Sequence, residues 1–102
     1  MSALRRLVDH RWETLRAWSP ACAELADRVA PALKPEATPL PRGNLELTLL
    51  DHLESIAHRS PVALLGFAYW LNLMVLYGAL TEVEAETFKA EAIPLAGPQE
   101  GF

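Results

Sequence analysis

The chain has 102 residues, 51% hydrophobic and 22% charged, with 13 acidic against 9 basic side chains and a formal charge of −4. That length fits one domain, and that apolar content excludes a chain disordered throughout. The acidic balance argues against nucleic acid as a partner, because phosphate binding draws on a basic surface, and a lone cysteine, Cys22, excludes an internal disulfide and a cysteine metal cluster.

Along the chain, the recurrence of Leu4, Leu7, Val8, Trp12, Leu15 and Trp18 predicts an amphipathic helix over 3–18 with Ser2 as its N-cap. At about 100° per residue the six side chains span roughly 140°, a core-facing stripe. Arg11 falls inside that stripe, where its stem is expected to cover Trp12 or Trp18 while its head reaches water. Arg5, Arg6, Arg11 and Arg16 have Asp9 and Glu13 among them at ion-pair spacing, so they form no basic patch. The first six residues lack the apolar run of a signal peptide, and the expected location is the cytoplasm.

Ser19-Pro20 joins an N-cap residue to a proline suited to the first turn, which predicts a second helix over about 20–30. Cys22, Leu25 and Val29 share one side of it, so Cys22 reads as buried and inert rather than reactive. Pro31 kinks or ends this helix. Residues 34–43 are proline-rich and read as an extended internal connection.

A third helix is predicted over about 45–59, capped by Asn44, with Leu45, Leu49, Leu53 and Ile56 on one side. Opposite them Asp51, Glu54 and His58 fall within about 60° of arc, similar to the Glu-x-x-His grouping of carboxylate di-iron bundles. With the leucines turned to the core, this face is expected to be solvated and to hold no metal. The alternative is an iron or manganese site on those three side chains. His52 borders the apolar side as a hydrogen-bonded boundary residue, and His10 lies on the polar side of the first helix.

Ser60-Pro61 repeats the earlier pairing and predicts a fourth helix over 61–80, a run of twenty residues without a charge. Its length of about 30 Å equals the hydrocarbon thickness of a bilayer, so a single membrane span is one reading. The preferred reading makes it the central helix of a bundle, since the amphipathic helices before it need an apolar partner in water. Its flanks, Arg59 at one end and Glu82, Glu84 and Glu86 at the other, carry no positive-inside signal. The short neighbouring helices are expected to leave part of it bare. A homodimer would cover that part, with Asn72, Leu73, Met74 and Leu76 as contact residues. Gly66 and Gly78 would let a neighbouring backbone come close. Thr81 and Glu84 form a capping box for a fifth helix that ends before Pro94, and residues 94–102 are a loose tail.

Residues 50–72, Leu-Asp-His-Leu-Glu-Ser-Ile-Ala-His-Arg-Ser-Pro-Val-Ala-Leu-Leu-Gly-Phe-Ala-Tyr-Trp-Leu-Asn, resemble a stretch of the heme-oxygenase-like helical proteins and their non-heme iron relatives. Those carry a helix, a Ser-Pro break and a helix reading Ala-Leu-Leu-Gly-x-x-Tyr-x-Leu-Glu. Asn72 stands where the family often has Glu, and the chain is about half as long as that fold. The resemblance therefore implies a shortened, non-catalytic relative.

The expected architecture is an all-α bundle of about five helices around 61–80, in one domain over 1–93. Two functions stay open. One is a non-enzymatic helical interaction module (an adaptor, subunit or regulator) that pairs with itself or another protein and uses no cofactor. The other is a metal- or cofactor-dependent helical protein, with iron on Asp51, Glu54 and His58. The scattered glycines form no phosphate loop, and no catalytic set is assigned.

Overall fold

The computed structural model describes residues 2–97. It has five α-helices: α1 (Ala3–Trp18), α2 (Pro20–Ala32), α3 (Arg42–Ala57), α4 (Ala63–Tyr77) and α5 (Glu82–Ala92). Single 3-10 turns lie at Pro35–Ala37 and Pro94–Ala96, and there is no strand among the described residues. The all-α class read from the sequence is the class the chain adopts.

Ser2 caps α1 as expected, its hydroxyl accepting the Arg5 N–H at 3.0 Å. The apolar stripe of α1 is wider than its contact with α2 and α3. Val8 and Leu15 are buried and Leu4 and Trp12 half-buried, while Leu7 and Trp18 at one edge stay exposed. The Trp18 ring lies against the His58 ring, with centroids 3.8 Å apart.

Pro20 starts α2 with Ser19 at the cap position, although the Ser19 side chain makes no capping bond. The helix runs on to Ala32, one residue past Pro31. A proline this close to the end sacrifices one ladder bond and stops little else. Besides Cys22, Leu25 and Val29, α2 buries Ala23, Ala26 and Ala30. These methyl-sized side chains let α1, α3 and α5 all pack on it.

Arg42 decides the join between α2 and α3. Its guanidinium donates to the carbonyls of Leu33 at 2.9 Å and Ala30 at 2.6 Å at the end of α2, where Ala30 also accepts the Leu33 N–H at 3.2 Å. With Arg42 held there, α3 begins three residues before the expected position, after Pro41, and Asn44 lies inside its first turn rather than capping it. Gly43 gives the Leu4 side chain of α1 room here, since a Cβ would come within 2.7 Å of Leu4 Cδ2 and push that side chain aside. The connection is not simply extended. The 3-10 turn folds it, and the Lys34 N–H donates to the Ala79 carbonyl at 3.1 Å.

The hub of the bundle is α3, which packs against α1, α2 and α4 and buries Leu45, Leu49, Leu50, Leu53 and Ile56. The uncharged helix is not central. α4 rests mainly on α3 and α5 and buries one face, Ala63, Phe67, Trp70, Leu71 and Met74. It is also shorter than expected. Ser60 and Pro61 form a turn ahead of it and do not cap it, and Gly78 ends it in the left-handed region at φ 84°. Fifteen residues rise about 22 Å. No helix of the described residues is long and apolar enough to cross a membrane.

The Thr81–Glu84 capping box forms as read, with bonds of 2.8 and 3.1 Å, and the Thr81 backbone N–H holds the Glu84 carboxyl below its ordinary range. α5 buries Ala85, Phe88 and Ala92 and is tied to α2 by Arg28 and Glu91 at 2.6 Å. Of the expected loose tail, residues 94–96 form the second 3-10 turn with Ala96 buried, while residues 98–102 lie outside the described residues.

Candidate functional site

With Phe67, Trp70, Leu71 and Met74 turned inward, the opposite side of α4 and the residue before it meet solvent. Val62 is 69% exposed, Leu65 72%, Tyr69 70% and Leu76 81%. Positions 62, 65, 69, 72 and 76 follow the three- and four-residue steps of a single helix face. A helix without charges has thus built two apolar faces and buried only one.

Asn72 is the polar residue of the outer face. Its side-chain carbonyl accepts from the Lys89 ammonium at 2.5 Å, and Lys89 also donates to Glu86 at 3.0 Å. The Asn72 side chain thus has its partner on α5. Towards the start of α4 a groove of about 480 Å³ runs between the two helices, floored by Leu64, Leu65 and Ala68 and flanked by Ile93 and Lys89. Ile93 is itself more than half exposed. Towards the end of α4 a smaller hollow of about 230 Å³ is lined by Asn72, Val75, Glu82 and Glu86. The two ends of this face therefore differ: one is apolar and the other acidic.

Of the contact residues expected from the sequence, Leu76 and Asn72 lie on this face and Leu73 is half-buried beside it. Met74 is 1% exposed and belongs to the chain's own core. Val62, Leu65, Tyr69 and Ile93 were not foreseen. A sequence without polar positions gives no marker of which side faces out. Asn72 was the one available, and continuing its i−3, i−7 and i+4 steps finds Tyr69, Leu65 and Leu76.

The Asp51, Glu54 and His58 group is not brought together as a ligand set. Arg11, whose head was expected to reach open water, crosses from α1 and donates to Asp51 at 2.5 Å and to Glu54 at 2.9 Å. The Asp51 bond raises the Arg11 pKa further above its ordinary value. His58 stands at the end of α3 against Trp18. Among the described residues no group of three or more His, Cys, Asp and Glu side chains is placed to hold a metal ion.

His52 does lie at the boundary, but between rings. Its centroid is 5.7 Å from that of Trp70 and 6.3 Å from that of Phe67. Burial pushes its imidazole below the ordinary pKa, and Asp51 offsets part of that. A third hollow, about 420 Å³, lies over α1 beside Arg5, Asp9, Arg16 and Glu46. Most of its charges are paired: Arg5 bonds Asp9 and Glu46, both at 2.8 Å, and Arg16 bonds Asp27 of α2 at 2.8 Å.

Compared with family models, curated proteins and solved structures, the chain matches none of them.

Proposed function

We propose that the protein is a non-enzymatic helical interaction module, an adaptor, subunit or regulator that works by presenting the outer face of α4 to another protein surface. One observation carries the reading: Val62, Leu65, Tyr69 and Leu76 are each more than two-thirds exposed on one continuous face. Fully burying such a side chain is worth about 1.5–3 kcal/mol. A small domain that leaves four of them in water has a strong drive to cover them.

The rest of the molecule supports this choice over cofactor chemistry. Asp51 and Glu54 are bridged by Arg11, and Asn72, which holds the place of a family carboxylate, is engaged by Lys89. The resemblance of residues 50–72 to heme-oxygenase-like proteins fits a non-catalytic relative on the same grounds. A buried free thiol at Cys22 suits the reducing cytoplasm.

A photo-reactive phenylalanine analogue at Leu65 or Leu76, irradiated in the native cell, tests the proposal. Covalent protein adducts are expected from both positions and not from the same probe at His10, exposed on α1. Absence of adducts at 65 and 76, or equal adducts at 10, would overturn it.

A further inference from the structure

We infer that the surface covering this face is a second copy of the chain, with the two α4 helices antiparallel about a two-fold axis near Tyr69; the inference rests on the interaction-module reading. Three observations converge on it.

The first is the symmetry of the face itself. Val62 and Leu76 lie seven residues on either side of Tyr69, so an apolar side chain stands at equal distance on each side of the central ring, with Leu65 and Asn72 between. An antiparallel overlay sets Val62 of one copy near Leu76 of the other at both ends, with the two Tyr69 rings at the middle. A self-complementary patch of this kind is what a two-fold dimer requires. Tyr69 suits the centre, because its ring covers a large apolar area while its hydroxyl can keep a polar partner.

The second is the distribution of charge around the face. α4 carries none, but Arg59 is exposed before its start, and Glu82 and Glu86 are exposed beside its end. Antiparallel pairing brings the apolar end of one copy, with Arg59 just before it, to the acidic end of the other. Parallel pairing would set like charge on like, and would also align the helix dipoles unfavourably. The acidic end and the net charge of −4 oppose an anionic membrane surface as the occupant.

The third is area. Val62, Leu65, Tyr69, Leu76 and Ile93, each between 54% and 81% exposed, offer together about 600 Å² of apolar surface. That is at the top of what monomers usually show, and most of the roughly 800 Å² per partner that a standard interface buries. The half-buried Leu73 and the charged rim extend it to a full interface. The crossing helices need no rearrangement of either core, since Val62, Leu65, Tyr69, Leu76 and Ile93 already face outward.

Sedimentation of the untagged protein from low to high micromolar concentration tests the pairing, and cysteine cross-linking tests its direction. A dimer is expected, with Leu65→Glu or Leu76→Glu raising its dissociation constant at least about a hundred-fold while leaving helicity intact and removing the concentration dependence of melting. A mixture of Val62→Cys and Leu76→Cys chains should oxidise to the mixed dimer, and Val62→Cys alone should not; Cys22, at 1% exposure, stays out of this chemistry. A strict monomer with photo-adducts to other proteins at Leu65 and Leu76 overturns the self-pairing and leaves the interaction module standing. A monomer without adducts overturns both. A dimer untouched by Leu65→Glu, or one in which Val62→Cys links to itself, overturns the antiparallel α4 pairing.

Discussion

At the scale of single residues, the side chains that matter most are polar ones whose partners lie on another helix. Glu46 is 7% exposed in α3, and Arg5 reaches it from α1 at 2.8 Å with Arg42 3.8 Å away. A carboxylate that nearly buried is tolerated only when paired. Arg16 and Trp12 similarly converge on Asp27, whose carboxyl is held below its ordinary range, chiefly by the Arg16 bond. His52 is the opposite case, a titratable ring among aromatic ones. Its native pKa lies below the ordinary 6.5, so on acidification the unfolded chain takes up this proton first. The stability tied to neutral His52 is complete above pH 6.5 and falls as the pH drops below it. Urea unfolding at pH 7.5 and at 5.5 should show the wild type losing more stability than His52→Phe. His10 and His58 are present in both chains, so their contributions cancel in the comparison. Equal losses would mean that the ring is not desolvated by Phe67 and Trp70.

At the scale of helices, the beginnings were easier to read than the ends. Ser2 and the Thr81–Glu84 box identify starts because a side-chain acceptor three residues ahead of a free N–H is local chemistry. Ser60 and Asn44 carry the same local signal, yet neither caps a helix here. Arg42 is held by carbonyls of α2, and a turn takes up Ser60 and Pro61; both are decided by tertiary contacts. The ends of α3 and α4 share one device. Arg59 N–H donates to Ile56 and Ser60 N–H to Ser55, at 2.9 and 3.1 Å. Gly78 N–H donates to Val75 and Ala79 N–H to Met74, at 2.9 and 2.8 Å. This paired pattern needs a left-handed residue at its corner. Gly78 fills that role without strain at φ 84°, whereas Arg59 does so at φ 57° with a Cβ. Arg59→Gly is therefore expected to stabilise the chain by about 1 kcal/mol, and Gly78→Ala to destabilise it by a similar amount. Denaturant midpoints decide between this and the reverse order. The face of α4 was half legible for a related reason: hydrophobicity marks what can be buried, and only packing on α3 and α5 selects which side is.

At the scale of the whole molecule, the uncharged helix draws the eye in the sequence, but α3 organises the fold. α1, α2 and α3 pack on one another in all three pairings, while α4 and α5 pair together and attach through α3 and α2. The alanines of α2 permit that triangle, and alanine gives weak signals to a reading based on large apolar residues. The arrangement also bears on how the protein opens. A closed three-helix triangle keeps two of its three contacts when one helix edge loosens, whereas a two-helix annex separates once its seam to the rest gives way. Native-state exchange of amide protons with deuterium should resolve two levels of opening. Amides within α2 and α3, Ala26, Leu49 and Leu53 among them, should exchange only through global unfolding. Those within α4 and α5, Phe67 and Phe88 among them, should exchange at a lower free energy. The measurement belongs on Leu65→Glu, so that self-association cannot protect α4. One common free energy across all five helices would instead make the annex and the triangle a single cooperative unit.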